Sequence, residues 1–259
     1  MKILKQGLST FDLKVIGITL MVIDHIHQMF VPMGAPGWLD WFGRPVATIF
    51  FFVSVVGFSH THNKFQYMLR LYLGMVFMAV MTTALQDWVS YDQVVLMNNI
   101  FRDLFIGTMF MYAIDEVRKG FKTQHLMPVV TGVLVFLLPF ICSVVMGMYM
   151  GTINPNLMVV RAMLALLPGI LIAENSVMVL LIPLLYLFKD KKWIQAGLIA
   201  LVAIGYFALG STQWMMIFAL LPIMLYNGQK GRSLKSFFYI FYPAHIAVLY
   251  LLAAVIYHH

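Results

Sequence analysis

Runs of about twenty apolar residues follow one another along nearly all of this 259-residue chain, parted only by short polar or basic stretches. As helix, at ~1.5 Å per residue, such a run covers the roughly 30 Å hydrocarbon core of a bilayer. Composition points the same way. Hydrophobic residues make up 62% of the chain and charged residues 10%, where a soluble domain carries about 25% charged. A soluble core of this length could not hide so much apolar surface. The expected fold class is all-α: a polytopic transmembrane helical bundle of about nine or ten helices. No linker or shift in composition divides the chain, so a single integral membrane domain over residues 1–259 is expected.

The spans are placed near Phe11–Val31, Phe42–Ser59, Phe65–Leu85, Asn98–Ile114, Leu126–Met150, Leu157–Phe188, Trp193–Leu209, Gln213–Tyr226 and Ser236–Tyr257. The sixth run, about 32 residues, would be about 48 Å long as a straight helix, well beyond the hydrocarbon core. It also contains Pro168-Gly169 and Glu174. A broken helix is therefore expected near residues 157–188, with two short helices meeting near Glu174. With the N-terminus inside and nine crossings, the cytoplasm receives Lys2/Lys5/Lys14, Lys64/Arg70, Arg118/Lys119/Lys122, Lys189/Lys191/Lys192 and Lys230/Arg232/Lys235. These are fourteen of the seventeen Lys and Arg residues, as the positive-inside rule requires. The same rule accounts for the net charge of +7 without a nucleic-acid partner. Arg44, Arg102 and Arg161 fall instead at the outward ends of their helices. Asp24 and His25 interrupt the first apolar stretch and no small-residue cleavage site follows it, so a retained helix is expected rather than a signal peptide. Cys142, the single cysteine, cannot form an internal disulfide.

Ionisable residues inside a span are expensive and mark candidate sites. Ser9 or Thr10 can cap the first helix, with Asp12 in its first turn. Lys14 and His25 stand eleven residues apart, which on a helix returns them to one face about 16 Å apart along the axis. Asp24 is placed to orient a water, a donor on a neighbouring helix, or His27. Histidine is the natural general base near neutral pH; a purely structural pairing of Asp24 and His25 with other polar groups is the alternative. The polar, basic end of the second helix, with His60, His62, Lys64 and then Arg70, suits the phosphates of a soluble anionic cofactor, or is ordinary loop charge. His60-x-His62 lacks the further ligands zinc needs, so no metal is expected. On the outward side stand Arg44, Asn98, Asn99, Arg102, Asp103 and Arg161, with Arg102 and Asp103 expected to find partners on other helices. Tyr242 and His245 lie within the last span on either side of Pro243.

The run Leu-Lys-x-Ile-x-Ile-x-x-Met-x-x-Asp-His, from Leu13 to His25, resembles the opening of the TraX family. So do the Arg-Pro-containing second helix ending in Gly-Phe-Ser-His-Thr-His-Asn, the Arg70-Leu71 pair, Tyr226-Asn227-Gly228 with Gly231, and the Phe-Tyr-Ile-Phe-Tyr-Pro-Ala-His run ending at His245. TraX proteins are associated with N-terminal acetylation of pilin. The layout is also similar to the acyltransferase-three family, in which a basic residue precedes a catalytic histidine in the first helix; Lys14 and His25 match, with lysine in place of the more usual arginine.

The resemblance implies a membrane acyltransferase of the bacterial inner (cytoplasmic) membrane, with acetyl-CoA as donor and a peptide N-terminus or glycan hydroxyl as acceptor. His25 is then the catalytic base, aided by Asp24. Arg44, Asn99, Arg102, Tyr242 and His245 are expected on the oxyanion or acceptor side. Lys14, His60, His62, Lys64 and Arg70 are expected to meet the cofactor's phosphates, and membrane lipid is the remaining partner. The alternative is a small-molecule transporter built around the discontinuous helix.

Overall fold

The computed structural model describes residues 7–89, 91–232 and 235–258, without the side chains of Lys235 and Ser236. Lys2 and Lys5, counted above in the first basic cluster, lie outside the described residues. Among the described residues the α-helices are α1 (Thr10–Phe30), α2 (Val46–Ser59), α3 (Lys64–Val89), α4 (Ile100–Thr123), α5 (Leu126–Met150), α6 (Leu157–Leu166), α7 (Leu181–Leu187), α8 (Lys192–Ala208), α9 (Leu220–Met224) and α10 (Lys235–His258). No strand forms among them, and only an isolated bridge joins Leu8 to Tyr226. The all-α helical fold is thus as expected. Five segments are long and apolar enough to cross a membrane: Thr10–Met33, Gly37–Ser59, Lys64–Val89, Leu126–Met150 and Phe237–His258.

The differences from the expected spans have local causes. Helix α4 runs on to Thr123, past the expected end at Ile114. Hydropathy marks where a helix leaves lipid, not where it ends, and its polar last turns are supported by Asp115, which pairs with Lys64, and by the Glu116–Lys119 pair. The eighth run divides into a 3-10 stretch, Thr212–Ala219, and the short α9. The sixth breaks as expected: α6 ends at Leu166, 3-10 turns cover Ile170–Ile172 and Val177–Leu180, and α7 follows.

The chain divides into two compact units. The first comprises the described parts of Met1–Val53, Met81–Leu96 and Phe188–His259. Its anchor is the start of α1, where Ser9 and Asp12 form a reciprocal capping box. The preceding backbone is tied to the 225–230 loop: the Leu8 amide donates to the Leu225 carbonyl at 2.7 Å, that of Asn227 to Leu8 at 2.9 Å, and that of Thr10 to Gln229 at 2.8 Å. Gly231 sits there with φ +67°, and a side chain would overlap the Ser9 hydroxyl, so only glycine fits. Helix α1 buries Leu13, Gly17, Met21, His25 and Met29, a four-residue spacing that makes one face. Helix α10 packs against α1 and buries Tyr242, His245, Ile246, Tyr250 and Ala253. The Tyr250 hydroxyl donates to the Tyr91 carbonyl and the Tyr91 hydroxyl to the Met29 carbonyl, both at 3.1 Å.

The second unit comprises Ser54–Val80 and Met97–Leu187. Its core is the α4–α5 hairpin. Gln124 closes α4 in the left-handed region, φ 55°. The hairpin stays close because a side chain at Gly132 would strike the Ala113 carbonyl and Val117. Ile106, Met109, Phe110, Val179, Ile182 and Leu185 are fully buried or nearly so.

Candidate active site

Helices α1 and α10 bring His25 and His245 together across 220 residues of sequence, with Nδ1 of His25 2.7 Å from Nε2 of His245. The rings are nearly parallel, 10° apart, with centroids separated by 5.0 Å. That separation is the nitrogen–nitrogen distance plus little more than two ring radii. The imidazoles therefore lie edge to edge in a shared plane, joined by an in-plane hydrogen bond and not stacked face on face. Nδ1 of His245 is 2.9 Å from the Phe241 carbonyl, one turn back on its own helix. The Tyr242 ring stands edge-on to His25, 6.3 Å between centroids. His25 is 2% exposed and His245 9%, so each buried imidazole finds a polar partner in the other, as buried polar groups must.

One residue before His25, Asp24 faces Arg44 at 3.9 Å. Arg44 also pairs with Asp40, donates through Nη1 to Gln213 Oε1 at 3.2 Å, and accepts through its carbonyl from Gln213 Nε2 at 3.1 Å. Gly43 is required here, since any side chain at that position would fall on the Asp24 carboxylate. Asp40 and Gln213 went unnoticed in the sequence. Asp40 stands four residues before Arg44, a spacing that could have marked it, whereas Gln213 reaches Arg44 from a segment far along the chain. Lys14, one place beside the buried face of α1, lays its ammonium over the Phe238 ring at 4.9 Å.

Asn99 and Arg102 belong to the second unit, where they hold the broken segment. Asn99 caps α4 and donates through Nδ2 to the Met75 carbonyl at 2.9 Å; its amide donates to Glu174 at 2.8 Å. Arg102 donates to the carbonyls of Ile172, at 3.0 Å, and Leu164. Asp103, 0% exposed, accepts from the amides of Glu174 at 2.9 Å and Asn175 at 3.0 Å and from the Asn175 side chain at 2.8 Å. Tyr72 donates to the Leu166 carbonyl and Ser143 accepts from the Leu171 amide. Non-helical backbone survives at membrane depth only with such partners. Of the partners expected for Arg102 and Asp103 on other helices, Leu164 lies in α6, and the others, Ile172, Glu174 and Asn175, lie in the break itself.

Of the basic residues after α2, His60, His62 and Arg70 are exposed. Lys64 instead pairs with Asp115, which also accepts from the Tyr186 hydroxyl at 2.8 Å, and its ammonium lies over Phe58 at 5.0 Å. Among the described residues no group of three or more His, Cys, Asp or Glu is placed to hold a metal ion.

The family model described as TraX protein matches residues 9–253. The chain belongs to the TraX family. The match opens at the Ser9 cap and closes eight residues beyond His245, so every candidate residue named above lies inside it. A curated relative is 25% identical over 259 residues, covering 93% of this chain and 94% of its own: "Probable fimbrial assembly protein FimC, serogroup H1" from Dichelobacter nodosus. No solved structure matches the chain.

Proposed function

We propose that this TraX protein is a membrane-embedded acyltransferase that moves an acetyl group from acetyl-CoA to the N-terminal amine of a pilin-type subunit, with His25 as general base. The observation that carries the reading is a buried imidazole on α1 held in plane by a second, His245, inside two apolar spans. Two such groups are expensive in lipid and persist where chemistry needs them. In the reaction the acceptor nitrogen attacks the thioester carbonyl as His25 takes its proton. The C–N bond forms, the C–S bond breaks, and the proton passes on to the departing sulfur of CoA. The name of the fimbrial relative supports a peptide acceptor over a glycan. The choice of acetyl-CoA as donor rests on the resemblance of the Lys14-to-His25 spacing to the acyltransferase-three pattern.

Among the remaining residues, Tyr242 is the acceptor-side group we keep, because its ring lies against His25. Arg44 has its donors engaged by Asp40 and Gln213, which fits it to holding Asp24 better than to meeting an oxyanion. Asn99 and Arg102 serve the break. His60, His62 and Arg70, exposed and basic, suit the phosphates of CoA; Lys64 is committed to Asp115. The broken segment is the observation that would favour a transporter, but its buried carboxylate and guanidinium pin it in one place.

Purified protein incubated with acetyl-CoA and a pilin N-terminal peptide should release CoA and yield peptide heavier by one acetyl group. His25→Ala should bind acetyl-CoA with unchanged affinity and release none. Substrate flux into vesicles with no acetyl-CoA dependence, and full activity in His25→Ala, are the results that would sink the proposal.

A further inference from the structure

We infer that His245 is a positioning residue for His25, fixing which nitrogen of the catalytic imidazole carries the proton, and not an acceptor-side group. The inference rests on the acyltransferase reading for its kinetic consequence but on geometry for its substance. The Phe241 carbonyl can only accept a hydrogen bond. Nδ1 of His245, 2.9 Å away, must therefore carry hydrogen. With both rings neutral, Nε2 of His245 is then a bare lone pair. Nδ1 of His25, 2.7 Å from that lone pair, must be the donor. The hydrogen bonds thus run in one direction, from His25 through His245 to the backbone of α10. They leave Nε2 as the proton-accepting nitrogen of His25.

This is the arrangement a general base requires: an accepting nitrogen on one side of the ring and a third group orienting it through the other. An imidazole without such a partner divides between two tautomers and rotates about χ2. Here the near-coplanarity of the rings, 10°, and the packing of Phe241 against His245, 5.0 Å between centroids and 11° between planes, hold both. The side chain of His245 folds back one turn along α10 because its Nδ1 is bonded to Phe241, which aims Nε2 at α1. Pro243, inside α10, sits between the residues that make this contact.

The test begins with a measurement that does not depend on activity. In protein with 15N-labelled histidine, His25 is assigned by the signal lost in a His25→Gln variant, and its tautomer is read from the ring nitrogens. The expected result is a protonated Nδ1 and a bare Nε2 in wild type, with the order lost in His245→Phe. A protonated Nε2 on wild-type His25 would overturn the inference even if the enzyme proves to be an acyltransferase. The kinetic arm uses the same variants. His245→Phe should lower kcat by roughly 10- to 100-fold with KM for acetyl-CoA little changed, the scale at which losing the orienting partner of a metal-bound imidazole is felt. His245→Asn, which keeps an acceptor oxygen, should recover part of the loss. Wild-type kcat in His245→Phe overturns the positioning role. An inactive wild type whose His25 nonetheless shows the expected tautomer overturns the acyltransferase reading and leaves the hydrogen-bond direction standing.

Discussion

Replacing Asp103 with alanine removes the carboxylate that holds the broken segment, and the structure sets the scale of the loss. Three hydrogen bonds end on that side chain, from the amides of Glu174 and Asn175 and from Asn175 Nδ2, at 2.9, 3.0 and 2.8 Å. Interhelical hydrogen bonds in membrane proteins average about 0.6 kcal/mol each, because the unfolded chain in lipid finds other partners, which gives roughly 2 kcal/mol for three. Two of the three donors are main-chain N–H groups in non-helical backbone, with no helical partner to fall back on. Leaving each buried and unmet costs about 1–3 kcal/mol, so the upper bound is about 6 kcal/mol. Asp103→Ala should therefore lose about 2 to 6 kcal/mol in unfolding driven by SDS in mixed micelles, followed by tryptophan fluorescence. Asp103→Asn should recover part of this, since its one oxygen can still accept while its NH2 faces donors. Amide hydrogen exchange should rise first between residues 170 and 176. A loss under about 0.5 kcal/mol for the alanine variant, with an unchanged unfolding slope, would refute the claim that Asp103 is what satisfies the break.

Other consequences can be read with ordinary variants. Gly107→Ala places a methyl group on the Ile182 side chain and should cost about 1–3 kcal/mol by overpacking; adding Ile182→Val should return part of it in the same unfolding assay. Gly43→Ala pushes into the Asp24 carboxylate and should lower acetyl transfer while leaving acetyl-CoA binding intact, which titration calorimetry and CoA release together would check. Lys64→Met should leave acetyl-CoA affinity unchanged, because its ammonium is held by Asp115, and should cost no more than about 1 kcal/mol as a partly exposed pair. Arg70→Met, by contrast, should weaken acetyl-CoA binding and flatten its salt dependence.

Local signals in the sequence carried far, and they failed where the partner lies on another element. The cap at Ser9 with Asp12, the extent of α5, and a break between 157 and 188 follow from residues that are neighbours in the chain: a capping box, an uninterrupted apolar run, and a run too long for the bilayer with Pro168-Gly169 inside it. The break's location was legible; the means of holding it was not. In the sequence Glu174 marks only the place where two short helices should meet, and only the fold shows it accepting from the Asn99 amide beside a carboxylate that caps two successive amides.

The histidine pair makes the same point at the site. His25 and His245 each stood out as an ionisable residue in an apolar span, but no periodicity links positions 220 residues apart. The signal that could have joined them is one of accounting. Each imidazole, buried in an apolar span, must find a polar partner. On the first span, Lys14 lies over Phe238, and Asp24 points to Arg44. The last span held one buried imidazole in want of an acceptor or donor. Two unmet demands in one bundle are most economically met by each other, and the direction of the resulting bond then follows from a carbonyl that has no proton to give.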